Sequence, residues 1–274
     1  MSTAVDTLLL IDSLHYAVDY IPKRAIRFFT APENQQETIS LLVDEIKEVL
    51  EHPAEFVEEG SQLLLYAIMI LGHFRAKEAI PLIRDLGLLD QQAIDELLGE
   101  RLFDSISLAI AQIFSDDIDL LKALIEDPAI DECIRATCVQ SMVCLYGQSR
   151  LSRDTVVSYF LTLLKKPREQ ITFFYEVIVS ASLIFHPEEM IDEIRKIFAE
   201  EKIDTSDVSL DDVEEFLAMD KGEVIAECKQ AFHTDLDDLV AYFDSIEGLY
   251  HGSSVERNEA CPCGSGIKYK KCCY

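Results

Sequence analysis

The chain has 274 residues, of which 49% are hydrophobic, enough to bury one large core or two smaller ones. Its 51 acidic residues against 24 basic give a formal net charge of -27, and a field of that sign repels phosphate backbones and anionic lipid headgroups. These numbers argue against DNA or an anionic membrane as the main ligand.

Met1 to Leu14 has no basic leader, and its apolar run stops at Asp12 after four residues. No signal peptide is therefore expected, and the predicted compartment is the cytoplasm. The longest apolar run, Leu63 to Gly72, has ten residues, about half of the ~20 that a membrane-spanning helix needs, so no membrane span is expected. Eight cysteines without an export signal read as thiols or metal ligands rather than disulfides. Cys133, Cys138, Cys144 and Cys228 lie among apolar residues on predicted helices, where cysteine behaves as a small core residue; a second metal or redox site is the alternative.

The apolar spacing is helical up to about residue 200. Ile39, Leu42, Ile46, Val49 and Leu50 mark one face of a long helix after Pro32 that ends at His52-Pro53. Leu63 to Phe74 is apolar nearly all round and is expected to be buried on several sides. From there helices pair: Leu63–Phe74 with Ala79–Leu86, Arg101–Phe114 with a helix carrying Ile118, Leu121, Leu124 and Ile125. Cys133–Tyr146 pairs with a helix capped by Ser152, and Ile171–Phe185 with a helix carrying Met190, Ile191, Ile194 and Ile197. The second helices begin near residues 79, 117, 154 and 187, a spacing that predicts an all-α solenoid of stacked pairs. An irregular helical bundle is the alternative. Arg75-Ala76-Lys77-Glu78-Ala79-Ile80-Pro81 resembles the turn of a HEAT repeat, and the fold expected from that resemblance is a HEAT-like α-solenoid.

Residues 204–247 hold 14 Asp or Glu against two Lys, yet Val213, Phe216, Leu217, Leu236, Leu239, Val240 and Phe243 keep helical spacing. This predicts folded one-sided helices that cap the repeat body with a polar face. The expected organisation is a helical body over 1–203, an acidic cap over 204–247, a linker over 248–254 and a small module over 255–274.

Residues 255–274 are far too few to bury a core without a staple. Cys261, Cys263, Cys272 and Cys273 supply one. Gly264 and Gly266 allow the backbone angles of a wrapping turn, and four sulfur ligands favour zinc, with iron as the competitor. A closed site of four protein ligands leaves no position for water, so its expected role is structural.

Asn258-Glu259-Ala260-Cys261-Pro262-Cys263-Gly264-Ser265-Gly266, followed by Lys268-Tyr269-Lys270 and Cys272-Cys273, closely resembles the SEC-C motif at the C-terminus of the bacterial preprotein translocase ATPase SecA. The resemblance implies a zinc module held by Cys261, Cys263, Cys272 and Cys273. It further implies a basic face of Arg257, Lys268, Lys270 and Lys271 that docks on the export chaperone SecB. Ile267 stands where a lysine is common, and Cys273 replaces a frequent histidine. An acidic helical body ending in this motif looks like the bacterial family named domain of unknown function 1186, a resemblance that implies no activity.

The chain holds no H-E-x-x-H, phosphate loop, G-x-S-x-G or calcium loop. His52 and His186 precede prolines at helix boundaries and read as turn residues; His15 and His73 read as core residues. Adjacent Glu58-Glu59 and Asp116-Asp117 diverge on a helix and form no dyad. Two functions are expected to compete: a non-catalytic interaction protein whose tail docks on a partner such as an export chaperone or the ribosome, and an enzyme with a site in the helical groove.

Overall fold

The computed structural model describes residues 3–17, 20–99, 101–166, 173–203, 207–232, 234–250, 257–262 and 265–272, with side chains from residue 7 and, in the last helix, up to 246. Among the described residues the chain is all helical, with no β-strand and one isolated bridge between Ala260 and Lys268. No helix there is long and apolar enough to cross a membrane. Two compact units emerge, one of Met1–Ile113 with Leu236–Tyr274, the other of Phe114–Asp235.

The first unit opens with α1 (Thr3–His15), α2 (Lys23–Phe29), α3 (Gln35–Glu51), α4 (Pro53–Glu58) and α5 (Leu63–His73). It continues through α6 (Ile80–Leu86), α7 (Gln91–Leu98) and α8 (Ser107–Ile113). α3 buries Ile39, Leu42, Ile46 and Val49, the face expected from its spacing, while Leu50 is half-buried. Every residue of α5 from Leu63 to Gly72 is buried, because α1, α2, α3, α7 and α8 surround it. At Gly72 the packing tolerates no side chain: a Cβ there would lie 2.9 Å from the Cα and Cβ of Ala109 on α8. α7 is a helix beyond the pairs that the apolar spacing predicts. Asp90 caps it by accepting from the Ala93 N–H, and Ile94, Leu97 and Leu98 bury its inner face. A five-residue π-helical turn, Leu102–Ile106, leads into α8.

The second unit runs through α9 (Ile118–Glu126), α10 (Glu132–Gly147), α11 (Arg153–Leu164), α12 (Phe173–Leu183), α13 (Ile191–Ala199), α14 (Leu210–Ala218) and α15 (Lys221–Ala231). α10 is its central helix, packed on α9, α11, α12 and α15. The Ser152 side chain caps α11 as its position predicts, accepting from the Thr155 N–H. α13 starts at Ile191, later than the expected 187, because Pro187–Met190 forms a turn and Glu189 within it is held by Arg153 at 2.7 Å. Cys138 and Cys144 are buried and Cys133 and Cys228 half-buried, in keeping with core packing; burial pushes the Cys138 thiol up to about 12.

Helix ends recur in one form. Arg75, Ser149 and His186 follow α5, α10 and α12 with φ of 52°, 60° and 51°. After the first two, the next N–H returns to a helix carbonyl, Ala76 to Leu71 and Arg150 to Leu145, which satisfies ends that would otherwise be orphaned. Cross-helix bonds also recur at long, similar separations. Arg75 donates to Gln112, Tyr159 and Lys166 to Glu126, and Arg153 to the Phe185 and His186 carbonyls, 32 to 40 residues apart.

The acidic stretch divides between the units. α14 is closed by a capping box of Ser209 and Asp212, and α15 is capped by Asp220, but each buries one residue, Val213 and Val224. Leu236 and α16 (Leu239–Tyr250) belong to the first unit. There Leu236, Leu239 and Phe243 are buried, Phe243 lies 5.0 Å from Tyr66, Tyr242 donates to Ser105, and Asp244 pairs with Lys23 at 2.7 Å. α16 continues through Gly248 to Tyr250; the rest of the expected linker, 251–254, lies outside the described residues.

Candidate metal centre

After residue 256 the described backbone folds back on itself. The Cys261 N–H donates to the Ile267 carbonyl at 2.8 Å, Tyr269 to Glu259 at 2.9 Å and Lys270 to Arg257 at 3.0 Å, a short antiparallel ladder around the Ala260–Lys268 bridge. Gly266, at φ 69°, makes the reversal, a conformation glycine adopts without strain. One 3-10 turn, Tyr269–Lys271, then carries the chain to Cys272, whose N–H donates to the Tyr269 carbonyl.

Both described cysteines are thereby tied to the same turn. Cys261 bonds to Ile267, the Ile267 N–H donates to the Ser265 hydroxyl, and that hydroxyl lies 3.2 Å from the Cys272 sulfur. A hydroxyl so placed can donate to a thiolate, the form in which cysteine would bind a metal. Cys261 is buried and Cys272 half-buried. Cys263, Gly264 and Cys273 lie outside the described residues. The donor chemistry and the hairpin fit a thiolate-bound ion. Sequence reasoning missed Ser265 as a sulfur contact and Tyr269 as a large buried side chain among the described residues of the module; a hydroxyl inside a cysteine loop and an aromatic between lysines were the available signals.

Arg257, Lys268, Lys270 and Lys271 are all exposed on this hairpin. Ile267 is exposed among them at 45%. The cation-rich surface and the two described cysteines, Cys261 and Cys272, thus occupy one short fold.

Elsewhere, Glu48, Glu51 and His52 bring their ligand atoms within 4.8 Å of one another, but all three are exposed and Glu48 and His52 form an ordinary i,i+4 pair. His73 lies 2.7 Å from the Leu236 carbonyl, and His15 stacks on Phe56. His186 sits in its turn with Nε2 3.3 Å from the Met219 carbonyl. Tyr159, pushed up by burial and by Glu126, is held by Glu126 and the Lys122 carbonyl. These histidines and this tyrosine have packing and hydrogen-bond roles in the fold.

The family model for proteins of unknown function, DUF1186, matches residues 5–247. The chain belongs to the DUF1186 family. Its C-terminal 257–274 matches the SEC-C motif, so the family's helical body and the cysteine hairpin are separate sequence units. The chain is similar to an uncharacterized protein of Chlamydia trachomatis serovar D, 30% identical over 211 residues, 75% of this chain and 81% of that one. A protein of Chlamydia muridarum, also uncharacterized, is 28% identical over 230 residues, 83% of this chain and 90% of that one. No solved structure matches the chain.

Proposed function

We propose that this DUF1186 chain is a non-catalytic, cytoplasmic interaction protein. In it a HEAT-like helical body of stacked pairs carries a zinc-held SEC-C module that docks on an acidic partner. Cys261, Cys263, Cys272 and Cys273 are the ligands, with zinc preferred over iron for four thiolates. Arg257, Lys268, Lys270 and Lys271 form the docking face.

One observation carries this reading: Cys261 and Cys272 are fixed to a single turn whose outer surface is cationic. A module this small draws its stability from the metal, roughly 10–16 kcal/mol in zinc-finger peptides. Charge supports the docking role. Residues 255–274 carry +2, four basic against two acidic, on a chain of -27, so the tail is attracted to acidic surfaces that the body repels. An export chaperone or the ribosome would offer such a surface. The recurring helix ends and the bonds between residues 32 to 40 apart support a solenoid, whose repeats contact their neighbours at about that separation.

The test is affinity capture from native lysate with the full chain and with a chain ending at residue 254. Loss of the captured partner on truncation, with helicity retained, is the expected result; equal capture by both chains would refute the docking role.

A further inference from the structure

The α14–α15 hairpin is less buried than its sequence pattern requires. Val213 and Val224 are its buried residues, Phe216 and Leu217 are half-exposed, and Met219 at the joint is 45% exposed. Glu215 precedes Met219 by one helical turn, and Glu223 and Glu227 follow on α15, also one turn apart. All three carboxylates are exposed, and no ion pair holds them among the described residues. The SEC-C hairpin shows the opposite arrangement: Ile267, also 45% exposed, beside Lys268, Lys270 and Lys271, which are likewise outside the described ion pairs. Each surface thus has an exposed apolar centre with charges close to it in sequence, carboxylates on the hairpin, where Lys221 is taken up by Glu188 and Glu189, and ammonium groups on the tail. Such a centre, shielded by a polar rim, is the arrangement in which interface residues contribute most.

We propose that the SEC-C module docks on the α14–α15 hairpin of a second copy of this chain, with Ile267 against Met219 and Leu217 and the lysines against Glu215, Glu223 and Glu227. This rests on the module being the metal-held cationic knob described above. Both complementary surfaces belong to one sequence, so two copies exchange two identical contacts, and the first makes the second effectively intramolecular. The body's net charge of -27 does not forbid the pairing. At physiological salt, charges interact over about 8 Å, so the groups that face each other decide.

Sedimentation velocity of the full chain at physiological ionic strength, over the micromolar range, tests the assignment. Wild type is compared with a tail-reversed variant, Lys268→Glu with Lys270→Glu and Lys271→Glu, and a hairpin-reversed variant, Glu215→Lys with Glu223→Lys and Glu227→Lys. All six positions are exposed, so the fold is retained, as circular dichroism will verify. Wild type should sediment as a dimer, each variant alone as a monomer, and an equimolar mixture of the variants again as a dimer, because reversed tail then meets reversed hairpin. A wild type that stays monomeric, a dimer that survives both reversals, or a mixture that stays monomeric overturns the proposal. So does a monomer whose tail captures a different acidic protein. Zinc content of the same samples separates the two claims: a monomer with full zinc refutes the second copy alone, whereas wild type without zinc refutes the metal-held knob.

Discussion

Helices α5 and α14 both carry apolar residues at helical spacing, yet α5 buries ten of its eleven residues and α14 one of its nine. Neighbours make the difference. α5 is enclosed by α1, α2, α3, α7, α8 and the returning α16, whereas α14 leans on α13. A helix's own pattern says which side turns inward; how far that side is covered depends on elements distant in sequence. α14 leaves Phe216 and Leu217 half-exposed among exposed carboxylates, while α5 leaves none of Leu63 to Gly72 exposed.

The contrast is broken most directly by truncating one side chain in each helix. Ile68→Ala in α5 should cost about 2–5 kcal/mol, since Ile68 is 1% exposed and its neighbours cannot collapse onto the gap. Leu217→Ala in half-exposed α14 should cost less than about 1 kcal/mol. Urea unfolding of both variants measures this; equal losses would mean that α14 is as much a part of the core as α5.

Two glycines sharpen the same point. Gly72→Ala puts a Cβ against the backbone of buried α8, and Gly147→Ala puts one into the Phe232 carbonyl just beyond α15. Overpacking of this kind costs about 1–3 kcal/mol. Gly72→Ala should lie at the upper end, because α8 cannot retreat, and Gly147→Ala lower, because the weakly buried α15 can shift. Thermal melts of the two variants give the order. Next in size, Ser209→Ala removes the capping box of α14 and should lower stability by about 1 kcal/mol, or by less if α14 unfolds separately from the core.

The smallest effect is electrostatic. The Arg153 guanidinium beside Glu189 holds its carboxyl down to about 2 from 4.5. The folded form therefore binds this proton less readily than the unfolded chain. The pair's contribution is present above pH 4.5 and is lost as pH falls from 4.5 towards 2. Glu189 is partly exposed, so the loss should stay under about 1 kcal/mol. Glu189→Gln should flatten that portion of the stability curve, measured as denaturant midpoints at neutral and acid pH.

Local signals in the sequence were sufficient where local chemistry decides the outcome. The buried face of α3, the enclosure of α5, the Ser152 cap and the turns at Arg75 and His186 follow from spacing, composition and proline. The return of Leu236 and α16 to the first unit was not legible, because Tyr66, Ser105, Lys23 and His73 that receive them are more than 130 residues away. At the candidate site, the cysteine spacing pointed to Cys261, Cys263, Cys272 and Cys273 as candidate ligands. The antiparallel closure on Ile267 and the hydroxyl behind Cys272 depend on backbone geometry that a spacing rule does not contain.

The central claim is that a metal, rather than a core, holds the tail together while the helical body stands without it. Zinc analysis of the purified full chain and of Cys272→Ser, paired with a thermal melt, tests it most directly. One zinc per chain in the wild type, lost in Cys272→Ser with the main melting transition unmoved, is the predicted result. A wild-type chain without zinc, or Cys272→Ser with undiminished zinc, would contradict it.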